Sequence, residues 1–273
     1  MTYFENVEQK TGLNKVKENP CNLLDFGKVV LKKGESYKGQ SGENEILMVI
    51  LGGKAVIKVD GVDFGVVGGR PNVFSGKPHS VYIPCNSEYE IVAESFNFEA
   101  AMAMAKCDEK YEPYVINPEE VETGKWGISN FSRNFHGINV NHKGAVKRLI
   151  AGETYTPSGN WSTYPAHKHE VDNLPNEVFM EEMYYFKVNS PEGFGLAKYY
   201  TDDLSIDEVY TVKNETILMM PKGYHTVVSA PGFTTYYLWF LAGNCRIQCP
   251  VTDPNQAWVN KAVPMIKNIE DNL

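Results

Sequence analysis

Tyr164-Pro-Ala-His-Lys-His-Glu170 decides how this chain is read. On a β-strand, side chains two residues apart share a face, so His167 and His169 can converge on one ion while Lys168 faces away. Downstream, Met180-Glu-Glu-Met-Tyr-Tyr-Phe-Lys-Val188 supplies a carboxylate, and Pro221-Lys-Gly-Tyr-His225 supplies a third imidazole after a turn. Three nitrogens and one oxygen, with room left for water or substrate, form the donor set of a catalytic metal centre. Alternation puts Glu182, Tyr184 and Phe186 on one face and Glu181, Met183 and Tyr185 on the other, without saying which face is inward. Of six histidines in the chain, three stand at ligand spacing in this half. His79, His136 and His142 lack such neighbours and read as loop or interface histidines.

Working outward, short apolar runs recur between turn residues. Glu45-Ile-Leu-Met-Val-Ile-Leu51, Lys54-Ala-Val-Ile-Lys-Val59 and Glu99-Ala-Ala-Met-Ala-Met-Ala105 lie in the first half, Phe194-Gly-Leu-Ala-Lys-Tyr-Tyr200 and Thr234-Thr-Tyr-Tyr-Leu-Trp-Phe-Leu241 in the second. Many short strands with Gly, Pro, Asn and Asp punctuation predict an all-β sandwich or barrel. Val59-Asp-Gly-Val62 predicts a hairpin, because Asp-Gly tolerates the positive φ of a tight β-turn. The acidic, proline-bearing stretch Tyr111 to Gly124 suits a surface connector, which divides the chain into residues 1–124 and 125–273. Val81-Tyr-Ile-Pro84 and Leu218-Met-Met-Pro221 echo one another, each a strand that ends on proline before a turn. The first copy has no His-x-His, so of two related barrels only the second is expected to hold metal.

A chain of 273 residues is long enough for two domains of ordinary size. The net charge of −8 with no basic stripe argues against nucleic acid and anionic membrane surfaces as partners. The polar N-terminal sequence has no signal-like apolar core, and no run approaches the roughly eighteen apolar residues of a membrane helix, so a cytoplasmic location is expected. Cys21, Cys85, Cys107, Cys245 and Cys249 are odd in number and irregular in spacing, which predicts free thiols without a metal or disulfide role.

Gly159-Asn-Trp-Ser-Thr-Tyr-Pro-Ala-His-Lys-His-Glu170, Asp172-Asn-Leu-Pro175, Glu181-Glu-Met-Tyr-Tyr185, Tyr200-Thr-Asp-Asp203 and Pro221-Lys-Gly-Tyr-His225 together resemble the 5-deoxy-glucuronate isomerase family of inositol catabolism. In the first half, Gly68-Gly-Arg-Pro-Asn-Val-Phe-Ser-Gly-Lys-Pro78 is similar to that family's metal-free N-terminal domain. The resemblance implies a bicupin, two double-stranded β-helix (jelly-roll) barrels, with one divalent ion held by His167, His169, Glu182 and His225. In cupin barrels the liganding glutamate directly precedes an apolar-aromatic strand, which favours Glu182 over Glu181. Zinc or manganese is expected first, with nickel or iron also accepted by such a set. Ala166 and Thr226 stand where the family pattern has proline, Glu170 where it has aspartate, and Trp239-Phe240 where it has a more polar pair.

The implied reaction is aldose–ketose isomerisation of 5-deoxy-D-glucuronate to 5-dehydro-2-deoxy-D-gluconate. Moving a proton between adjacent carbons requires an acid–base group, for which Tyr184, Tyr224 and a metal-bound hydroxide are candidates. A sugar acid also needs a cation for its carboxylate, and Lys222 and Arg148 are the sequence candidates. Lys168 reads as solvated, and Asp172, Asp202 and Asp203 as turn braces. Isomerisation of a related deoxy-uronate, cupin dioxygenase chemistry and sugar binding without turnover remain alternatives, and exposed sheet edges suit a homo-oligomer.

Overall fold

The computed structural model describes residues 2–270; residue 1 and residues 271–273, the outer limits of the two expected halves, lie outside the described residues. Four antiparallel sheets stack face to face. The first inner sheet runs Tyr114–Ile116, Ser80–Ile83, Asn44–Gly52, Asn97–Lys106, Leu24–Lys32, Gly12–Lys15. The second runs Phe4–Asn6, Thr216–Met220, Met180–Val188, Thr235–Gly243, Ile150–Thr156, Arg133–Gly137, Glu122–Trp126. Ser36–Gln40, Glu88–Ala93, Lys54–Val59 and Val62–Gly68 cover the first on its outside. Asp207–Val212, Gly195–Tyr200, Tyr224–Ser229, Trp161–Lys168 and Val251–Thr252 cover the second. Each inner and outer pair is one jelly-roll barrel.

Burial on both faces explains why the inner strands read as continuous apolar runs. In Asn44–Gly52, Ile46, Met48 and Ile50 fill the first barrel, while Leu47, Val49 and Leu51 pack between the two inner sheets. Met180–Val188 repeats this: Tyr184 and Phe186 face the second barrel, Met183 and Tyr185 the inter-barrel core. That shared core joins Phe26 and Ala103 of one half to Phe240 and Leu238 of the other, so the barrels are welded by apolar burial. Polar links reinforce it. Arg70 donates two hydrogen bonds to the buried Glu153, and Lys28, fully buried, pairs with Glu99 at 2.9 Å and Glu215 at 2.7 Å.

The hairpin at Asp60-Gly61 forms as expected, with φ of 48° and 82° and Val59 paired to Val62. Three elements differ from the sequence reading. The stretch from Tyr111 to Gly124 is not a plain connector: Tyr114–Ile116 extends the first inner sheet with Ile116 buried, and Glu122–Trp126 begins the second. Phe4–Asn6, counted with the first half, pairs with Thr216–Met220 of the second barrel. The chain also ends in an α-helix, Trp258–Glu270, beyond the last strand that alternation reveals. Its Val259, Val263 and Ile266 fall on one face and pack with Ile128, Phe131 and Tyr164. No helix among the described residues is long and apolar enough to cross a membrane.

Candidate metal centre

Two neighbouring strands of the second outer sheet bring the first two imidazoles together. His167 on Trp161–Lys168 stands directly opposite His225 on Tyr224–Ser229, with ring centroids 4.7 Å apart. His169 follows one residue past the strand end, 5.6 Å from the His225 ring. Glu182 reaches in from the facing inner sheet. The turn before His225 depends on Gly223, whose φ is +85° and whose added Cβ would lie 2.7 Å from the Tyr200 carbonyl oxygen. One ligand atom from each of His167, His169, Glu182 and His225 lies within 4.8 Å of the others. That spread is somewhat wider than the roughly 3.4 Å between tetrahedral ligands that stand about 2.1 Å from a shared ion.

The donor chemistry fits a cation. The His169 Nδ1–H donates to the Met180 carbonyl, which can only accept, so in the neutral ring Nε2 carries the lone pair; burial lowers this group, but Glu182 outweighs it and raises it above its ordinary value when no ion is bound. That Nε2 lies 3.0 Å from Glu182 Oε2, and His225 Nε2 lies 3.0 Å from the same oxygen. His225 is fully buried, yet neither ring nitrogen makes a hydrogen bond. A positive ion at the centre of the cluster would satisfy the orphaned His225 nitrogen beside the carboxylate oxygen. Burial pushes the Glu182 carboxyl up, but His225 and His169 outweigh it and hold the group well below the usual carboxylate range. Burial, reinforced by His225, holds His167 well below its ordinary value and therefore neutral, as a ligand must be.

Glu181 and Glu182 have separate tasks. Glu181 faces the other barrel and accepts the backbone N–H groups of Asn22, Leu23 and Leu24 at 2.7 to 3.1 Å. Tyr184 stands edge-on to His225 at 5.3 Å and stacks on Tyr237 at 4.5 Å. Burial first, then Glu182, pushes the Tyr184 hydroxyl well above its ordinary value, so it keeps its proton. A cavity of about 590 Å³ opens over His167, His169, Glu182 and Tyr184, with His225 fully buried behind them, and the terminal helix contributes Asn260 and Val263 to its wall.

The remaining sequence candidates lie outside this cavity lining. Tyr224 alternates away from His225, stacks on Tyr200 at 5.2 Å and carries the Lys168 ammonium over its ring. Lys222 offers its carbonyl to the Tyr199 hydroxyl, and Arg148 donates to the Gly243 carbonyl. Lys168 points away from the cluster, to Asp202 at 2.5 Å and Glu170 at 3.7 Å. Asp203 braces its turn by accepting from Thr201 and Ser205, and Asp172 accepts from the Phe179 N–H. His136 pairs with Glu153, His142 stacks on Tyr114, and His79 accepts from the Gly68 N–H. All five cysteines are free, and Cys249 lines the cavity mouth.

Sequence reasoning passed over Arg133. Its guanidinium lies 5.4 Å over the Trp126 ring and lines the cavity. Nothing in the spacing around Arg133 ties it to the histidines more than thirty residues away; only sheet pairing does. Two departures from the family pattern are also explained. Ala166 donates its N–H to Gln256 Oε1 at 3.0 Å, a bond proline cannot make, and the Thr226 hydroxyl donates to the Ser162 carbonyl at 2.9 Å.

Stacked jelly-roll barrels with one imidazole–carboxylate cluster in the second define a bicupin with a single candidate metal centre among the described residues. The chain belongs to the KduI/IolB family, whose model matches residues 4–259. It is 40% identical over 237 residues to the 5-deoxy-glucuronate isomerase of Geobacillus kaustophilus, covering 86% of this chain and 85% of that relative. The protein of the same name from Bacillus subtilis strain 168 is 36% identical, covering 86% and 87%. An IolB-like protein of Salmonella typhimurium superposes with a TM-score of 0.88 at 31% identity, covering 95% of this chain and all of that one. Oxalate decarboxylase of Lactobacillus farciminis, at 11% identity and a TM-score of 0.64 over 100% and 94%, shares the fold alone.

Proposed function

We propose that this chain isomerises 5-deoxy-D-glucuronate to 5-dehydro-2-deoxy-D-gluconate in inositol catabolism. The observation that carries the reading is a metal-competent cluster with a protonated tyrosine on a cavity floor, in a chain whose relatives bear that enzyme's name. His167, His169, Glu182 and His225 would hold one divalent ion, zinc or manganese first. When bound, such an ion supplies Lewis-acid polarisation of a sugar oxygen. Tyr184, proton retained, donates to the oxygen on which charge builds as the C2 proton moves to C1. Tyr237, stacked beneath it, fixes the ring of Tyr184, and its own hydroxyl shares a hydrogen bond with Ser162. The terminal helix and Trp239 narrow the entrance, which limits water around the reacting carbons. The balance is internal: one aldehyde and one adjacent alcohol become a ketone and a primary alcohol, with no atom gained or lost.

A small sugar acid is the substrate partner, in a cytoplasmic setting. The exposed edge strands Glu122–Trp126 and Asp207–Val212 offer unpaired backbone to a second copy. Proton NMR of 5-deoxy-glucuronate with metal-loaded protein tests the reading. Loss of the aldose C1 signal with growth of ketose resonances is the expected result; an unchanged spectrum with full metal occupancy refutes it.

A further inference from the structure

Among the described residues, Arg133 is a cation without a counter-charge. Among those residues the Tyr237 and Tyr184 hydroxyls, and no carboxylate, act on its guanidinium, and its Nε is buried with no hydrogen-bond partner. Leaving such a group unpaired costs stability unless a ligand completes it. Its surroundings hold it ready for one. The ring of Trp126 lies beneath the guanidinium, and Trp126 is itself stacked on Phe135 at 3.9 Å, so the plane is fixed and its N–H edge stays available. Trp239, whose indole N–H also lacks a partner among the described residues, lines the same cavity as Arg133, His167, His169 and Glu182.

We infer that Arg133 is the anion anchor of this cavity: it takes the carboxylate of an open-chain sugar acid whose carbonyl end lies at the His167, His169, Glu182, His225 cluster. This rests on the isomerase reading for the identity of the substrate, though not for the class of group bound. Neither cation named from sequence spacing lines the cavity: Arg148 donates to the Gly243 carbonyl, and Lys222 is solvent-exposed. A planar guanidinium offers a carboxylate two parallel N–H donors, which an alcohol or an amide at the same carbon cannot use equally. Arg133 therefore selects uronates over the corresponding aldoses.

Arg133→Met and Arg133→Lys, both metal-loaded, are compared with the wild type on 5-deoxy-glucuronate and on its C6 carboxamide. Arg133→Met should raise KM for the acid about 10- to 100-fold with kcat within about threefold and metal content unchanged. Its preference for acid over carboxamide should collapse toward one, with Arg133→Lys partway between. An unchanged KM together with an unchanged preference overturns the assignment. Calorimetric binding of D-glucuronate and D-glucose separates this from failure of the isomerase reading. If the wild type turns over nothing yet binds glucuronate selectively, and Arg133→Met loses that selectivity, the anchor stands while the reaction falls. Equal binding of both sugars by the wild type sinks the anchor.

Discussion

The two barrels share one plan and differ in what fills them. The central four strands of their inner sheets follow the same order, and Pro84 and Pro221 close equivalent strands, as the sequence echo suggested. Each also carries a glutamate turned toward the other barrel. Glu45 accepts the backbone N–H groups of Lys147, Arg148 and Leu149, just as Glu181 accepts those of Asn22, Leu23 and Leu24. The next residue points into the barrel, and there the halves part. Ile46 pairs with Met104 and Ile83, whereas Glu182 pairs with Leu241 and Met220. Mostly aliphatic side chains, with Phe98 and Tyr89, close the first interior; imidazoles, a carboxylate and aromatic rings with polar tips keep the second open. A duplicated fold thus carries a structural unit and a candidate reactive one, separated by side chains at matching positions.

Converting the second barrel into the first is the severest test. Glu182→Ile, which copies Ile46, should lower turnover by roughly 10³-fold or more and metal content below stoichiometry, as should His225→Ala. Thermal stability of the metal-free Glu182→Ile protein should hold or rise, because a buried charge is exchanged for an aliphatic group. Elemental analysis and calorimetry measure both, and retained metal in either variant would break the proposed division of labour.

The matching glutamates sharpen the symmetry. Glu45→Ala and Glu181→Ala should each destabilise the protein by about 3–5 kcal/mol in urea unfolding, since each strands several buried N–H donors. A loss at only one position would make the likeness superficial. Within the second barrel, Tyr184→Phe should reduce kcat by about 10- to 100-fold with metal retained, while Tyr224→Phe, outside the cavity, stays within about twofold.

Acid probes the seam between the barrels. Burial pushes the Glu153 carboxyl up, but Arg70 and His136 outweigh it and hold the group at about 2, below its ordinary value. A depressed carboxylate pKa contributes stability above the unfolded-state value, and that contribution disappears as pH falls from about 4.5 toward 2. Urea midpoints across that window should fall in the wild type and fall less in Glu153→Gln. The smallest effect is expected at the hairpin, where Gly61→Ala has open space but a φ of +82°, and should cost about 1 kcal/mol.

What the sequence determined by itself is whatever short-range geometry controls. His167 and His169 are two apart on a strand, Asp60-Gly61 meets the φ demands of one turn, and Gly223 permits the turn that delivers His225. These depend on a few neighbouring dihedral angles, so they are legible in spacing. Alternation by itself leaves open whether Glu182 or Glu181 faces the cavity, because both faces of an inner strand are buried and alternation loses its polar side; the resemblance favours Glu182, and the tertiary structure turns Glu182 to the cavity and Glu181 to the partner barrel. It likewise decided that Phe4–Asn6 crosses to the second barrel, that Trp258–Glu270 walls the cavity, and that Arg133 rather than Lys222 or Arg148 lines it. Those outcomes arise from contacts between residues far apart in the chain, where pairing and burial, rather than local conformation, set which groups meet.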